Sequence, residues 1–187
     1  MKTITIPGAL FFNEEDNSFI QTKEATIDIE HSLHALSKWE CKWHSAFFGN
    51  DKKTNEQILD YVKCMTLTEG VDPNVYRFIP ANILEEIGKY MEDSMTSIDW
   101  NAQQKHKSTK TYGKPHQETV TSELIYFWMI DCGIPPEYEY WHLNKLLSLI
   151  KMCYLKRTPP KKMSKNELLS RNASLNAARR KALNTTG

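Results

Sequence analysis

The 187-residue sequence has no apolar run long enough to cross a bilayer. Its longest, around residues 124–130, falls well short of the ~20 residues a spanning helix needs. There is no paired CxxC: Cys41, Cys64, Cys132 and Cys153 stand far apart. With no secretory leader to read, they are expected to be reduced thiols of a cytosolic protein, three of them acting as small hydrophobes in helical patterns. No GxxxxGK[ST] or GxGxxG is present to cradle phosphate, and no HExxH, EF-hand loop or GxSxG elbow to place a metal or a nucleophile. The carboxylate pairs at Glu85-Glu86 and Glu92-Asp93 read as solvated helix faces rather than acid–base machinery. No internal repeat is visible. These absences point away from an enzyme and imply no cofactor.

What the chain does have is a split of charge. Residues 156–187 carry nine of the 24 basic residues and one of the 23 acids, a net +8, which leaves −7 on residues 1–155. Such asymmetry marks a tail that meets an acidic surface. The basic residues of interest are Lys161, Lys162, Arg171, Arg179, Arg180 and Lys181. Lysine and arginine neutralise phosphate without reading sequence, whereas holding single strands also needs stacking aromatics, and none follows Tyr154. Protein contact is therefore favoured over nucleic acid.

The other positive feature is aromatic mass. Residues 31–48, HSLHALSKWECKWHSAFF, place Leu33, Leu36, Trp43 and Phe47 at helical spacing behind Ile29, with Trp39 beside Trp43. That predicts a central core helix over this stretch, starting near Ser32 and closed by Gly49. Before it, alternation predicts strands at 2–6 and 25–29, and a β-hairpin of 10–12 with 18–21 around a five-residue loop.

After the central helix, Thr54-Asn-Glu-Gln57 is a capping box opening a helix that buries Ile58, Tyr61, Val62 and Met65. Pro73 suits the first turn of a short helix, and a further helix covers 81–91. Residues 101–118 are polar, with four lysines and one aromatic, and predict a mobile linker. Thr119 or Thr121 then caps a helix over 123–132, apolar enough to be buried on most sides and stopped by Gly133. A helix over 137–154 should pack on it as an antiparallel hairpin. A second capping box, Ser164 to Glu167, opens a basic terminal helix to about Leu183, ordered only when something binds it, or else loosely docked. The fold class predicted is α+β, predominantly α-helical. Its divisions are 1–100, the linker 101–118, a helical hairpin 119–155 and a basic tail 156–187.

His31, His34, Cys41 and His44 share one helical stretch at spacings that could pair on a metal. The seven residues between His34 and Cys41 and the lack of an outside ligand pair argue for core-edge or surface histidines instead, so no metal site is assigned.

Five segments carry a resemblance: RNASLNAARRKALNTTG (171–187), HSLHALSKWECKWH (31–44), YVKCMTL (61–67), TSELIYFWMI (121–130) and KKMSKNELLSRN (161–172). Together the chain resembles small proteins encoded in the tail modules of long-tailed bacteriophages, tail assembly chaperones among them. The resemblance implies a non-enzymatic protein of the host cytoplasm. Its partners would be the tape-measure protein, other tail proteins and copies of itself. It also leaves a structural place in the virion, at the tail or head–tail junction, as an alternative. It supplies no site residues.

Overall fold

A computed structural model describes residues 1–13, 17–98, 100, 119–157 and 165–184. The fold class is as the sequence predicts: predominantly helical, with small antiparallel β elements at the N-terminal end. Contacts divide the chain into a body, Met1–Tyr154, and a second unit, Leu155–Gly187.

Strands β1 (Lys2–Ile6) and β4 (Ala25–Ile29) pair antiparallel, with Ile4 opposite Ile27. Alternation buries Ile4, Ile6, Ile27 and Ile29 and turns threonines outward, where Thr3 donates to Asp28 (2.6 Å). Between them runs the hairpin of β2 (Leu10–Asn13) and β3 (Ser18–Gln21). The interior of its loop, 14–16, lies outside the described residues. Gly8 allows the crossing: a Cβ there would sit 2.7 Å from the Thr22 carbonyl oxygen. The open edge of β4 is covered by the chain leaving the second helix. Glu30 N–H donates to Met65 O (2.9 Å), and Leu67 N–H to Asp28 O (2.8 Å).

Helix α1 (Leu33–Trp43) begins at Ser32, whose hydroxyl accepts from Ala35 N–H. It ends five residues short of the expected Phe48. His44 takes a left-handed conformation (φ 47°), and the Glu40 carboxylate accepts Phe47 N–H (2.8 Å), folding the chain back over the last turn. Gly49 therefore caps nothing, and Ile29 belongs to β4. Phe47 still reaches the core from the loop, against Trp39 and Tyr61. Helix α2 (Asn55–Met65) opens on the expected capping box at Thr54, both of its hydrogen bonds formed. Tyr61, Val62 and Met65 are buried, but Ile58, expected inside, is 41% exposed. A 3₁₀ turn, Pro73–Phe78, leads to α3 (Ala81–Glu92), which buries Ile83, Ile87 and Tyr90.

The predicted linker 101–118 lies outside the described residues. Thr121 caps α4 (Ser122–Cys132), and Gly133 closes it in the left-handed region (φ 67°). The expected burial on most sides is incomplete here. Ser122, Ile125 and Met129 share one buried stripe, whereas Phe127 and Ile130 are 61% and 78% exposed. Tyr126 and Trp128 are partly buried against the core, between the buried stripe and the exposed pair.

The next helix also starts later than predicted. Residues Pro136–Tyr140 form a 3₁₀ turn, and α5 (Leu143–Arg157) begins after an extended step at Trp141-His142. Here Ser32 bridges His142, and Leu143 N–H donates to the His31 carbonyl (2.7 Å). Pairing with residues 31–32 prevents one continuous helix. Ile125, Met129, Leu143, Leu146 and Ile150 share one core with the strands, α1, α2 and α3. In the second unit, α6 (Lys165–Leu183) lies where the basic terminal helix is predicted. Its proposed cap at Ser164 lies outside the described residues.

Candidate partner-binding surfaces

Arg171, Arg179, Arg180 and Lys181 all lie exposed on α6; Lys161 and Lys162 lie outside the described residues. Helical periodicity does not gather these cations on one face. Leu168, Leu175 and Arg179 follow one another at spacings of seven and four, so a cation sits in the leucine stripe, while Lys181 points away from it. Leu168, Leu169, Leu175 and Leu183 are between 45% and 72% exposed. Apolar stems interleaved with permanent cations suit an acidic surface that also offers grease.

The body presents two further apolar faces. In the β2–β3 hairpin Phe12 stands opposite Phe19, ring centroids 5.2 Å apart, and with Leu10 this face is bare. Phe11, on the other face, stacks on Phe78 at 3.8 Å. Phe127 and Ile130 form the outward side of α4. The sequence signals the hairpin but not its open face, because aromatics stand at both alternating positions of β2.

A cluster of titratable groups lies elsewhere, inside the body. Glu30 and His31 follow β4 into the core and meet Tyr61 from α2, Tyr90 from α3 and His142 from the step before α5. Tyr61 Oη lies 2.7 Å from His31 Nδ1, and the His31 and His142 rings meet edge to face. Tyr90 donates to Glu30 (2.6 Å), whose other oxygen pairs with the N-terminal amine. His142 Nε2 contacts the Tyr90 carbonyl (3.1 Å), and its Nδ1 accepts from Asn144 N–H (3.3 Å). Burial, reinforced by His142, lowers His31 to about 4; burial also lowers His142. Burial raises both tyrosines above their ordinary value. Every group is neutral or paired, so the network joins four elements rather than activating a nucleophile.

Glu40 is the second buried anchor. One carboxylate oxygen accepts Phe47 N–H and the other Ser122 N–H (2.7 Å), so α1 caps the first turn of α4. Glu40→Gln keeps the shape but offers an amide donor to one of these N–H groups. It should lower unfolding free energy by about 2 kcal/mol, read from urea midpoints.

The histidines weighed as metal ligands are dispersed. His31 is in the core, His34 tilts against Tyr140, and His44 forms the end of α1. Among the described residues no group of three or more His, Cys, Asp or Glu is placed to hold a metal ion. No described helix is long and apolar enough to cross a membrane. No protein-family model, curated protein or solved structure matches the chain.

Proposed function

We propose that this chain is a non-enzymatic assembly protein of long-tailed bacteriophages. It acts in the host cytoplasm by binding the tape-measure protein during tail formation. The observation that carries the reading is α6: nineteen helical residues with four uncovered leucines interleaved with Arg171, Arg179, Arg180 and Lys181. A helix with so thin an apolar stripe gains its stability from whatever it is laid against. The resemblance of residues 31–44, 61–67, 121–130 and 161–187 to tail-module proteins supplies the identity of the partner. The bare faces at Phe12–Phe19 and Phe127–Ile130 add apolar area of the sort that shields a partner's greasy helices.

Co-expression with the tape-measure protein tests this. The full chain should keep that protein soluble and co-purify with it. Removing residues 156–187 should abolish both effects while the body retains its helical circular dichroism. Equal recovery with and without the tail would overturn the assignment to α6. A steeply salt-dependent retention of nucleic acid on filters, with no retention of the tape measure, would make the chain a nucleic-acid binder instead.

A further inference from the structure

We infer that a pocket between α2 and α3 is the socket for one bulky apolar side chain of a partner segment that carries a carboxylate beside it. The inference rests on the reading of the chain as a protein-binding molecule and says which feature of the partner it selects. The pocket encloses about 170 Å³ and is lined by Ile58, Tyr61, Val62, Leu84, Ile87 and Met91, with Phe47, Lys53 and Gly88 completing it. A closed apolar cavity of ~150 Å³ stays dry and takes a molecule of benzene, so this one suits a single leucine or phenylalanine side chain.

Two independent features mark it as more than a packing gap. The first is Gly88, in the middle of α3. A Cβ there would meet no atom within 4 Å, and its backbone is ordinary helix. Alanine would therefore fit and would favour the helix, yet the position carries no side chain and the space stays open. The second is Lys53 at the rim. Its Nζ lies 4.7 Å from the Phe47 ring centroid and 5.9 Å from that of Trp39. None of the described ion pairs includes it. It is the one charged residue lining the pocket. A cation held over aromatic faces at the mouth of an apolar hole selects an anion attached to an apolar group. The basic tail selects the same chemistry, an acidic and apolar partner.

Two small probes separate the parts of this claim: N-acetyl-L-phenylalanine, which has both ring and carboxylate, and N-acetyl-L-phenylalaninamide, which has only the ring. Added to the ¹⁵N-labelled full chain, both should shift the amide resonances of Ile58, Tyr61, Val62, Leu84 and Gly88. Gly88→Leu, which fills the space, should abolish the shifts with both; Gly88→Ala, the milder variant that keeps the fold, should weaken them. Lys53→Met should weaken the carboxylate probe alone, by up to about five-fold, as an exposed ion pair allows.

Shifts that are absent in the native chain, or that persist in folded Gly88→Leu, would overturn the socket. In the co-purification assay Gly88→Leu should reduce recovery of the tape measure. Undiminished recovery would reject the socket and leave the tail-assembly reading standing. Probe binding without any co-purification would do the reverse. A change of sedimentation coefficient on Gly88→Leu would show that a second copy of this chain fills the pocket, which also overturns the claim.

Discussion

Trp39→Ala should lower the unfolding free energy by about 3–5 kcal/mol, the largest effect of any single substitution in the body. Trp39 is 1% exposed and sits where α1, α2 and the loop after α1 converge. Its ring meets Phe47 edge to face at 5.1 Å and Tyr61 at 6.4 Å, and it neighbours Trp43 at 6.3 Å. The indole N–H donates to the Gln57 carbonyl (2.8 Å), tying α1 to the first turn of α2. Alanine leaves a cavity that rigid aromatic neighbours cannot close, and it orphans that contact. Trp39→Phe separates the two terms. It keeps much of the apolar volume and loses the donor, so it should cost about 1–2 kcal/mol. Far-UV circular dichroism in urea reads both. Equal midpoints for Trp39→Ala and the native chain would mean that this aromatic cluster does not organise the core.

That Trp39 would matter is evident in the sequence, and so is most of the secondary structure. The isoleucine alternation of β1 and β4, the Thr54-Gln57 capping box and the glycine after α4 are local patterns with local causes. Two of the departures involve contacts between segments far apart in the chain. The end of α1 is set by Glu40, which holds the Phe47 amide on one side and the Ser122 amide, eighty-two residues away, on the other. The break before α5 is set by pairing of His142 and Leu143 with residues 31–32. Helix α4 looks buried on most sides from composition, because composition cannot say how many neighbours a helix receives; its cover leaves Phe127 and Ile130 in solvent.

The candidate surfaces were legible in the same uneven way. The charge of the tail is a matter of counting. The pocket beside Gly88 depends on how α2 and α3 meet, and a glycine inside a helical pattern gives only a faint hint of it.

Acid should destabilise the body through the two buried histidines. Tyr61 keeps its proton, since burial raises its pKa, and its hydroxyl lies 2.7 Å from His31 Nδ1 in the closed core. His142 donates from Nε2 to the Tyr90 carbonyl and accepts the Asn144 amide at Nδ1. In the His142 ring the nitrogen that a second proton must occupy is already accepting a hydrogen bond. Charging His142 breaks that bond, charging either ring buries a cation, and charging both places two cations side by side.

The sign follows directly. Unfolded His31 takes up a proton near 6.5 and folded His31 only near 4, so between these values the unfolded chain binds more protons and stability falls as pH falls. The loss should be about 2 kcal/mol between pH 7.5 and 5, and roughly 3 kcal/mol once pH 4 is passed. The lowered pKa of His142 adds in the same direction. Urea midpoints measured at intervals across this range should decline steadily. In His31→Gln the decline should shrink to the part owed to His142, even though the substitution itself lowers the starting stability. An identical slope in the variant would place the proton uptake outside the pair. No change in the native chain between pH 7.5 and 5 would mean that His31 is already solvated in solution, contrary to the closed core in which Glu30, His31, Tyr61, Tyr90 and His142 join four elements.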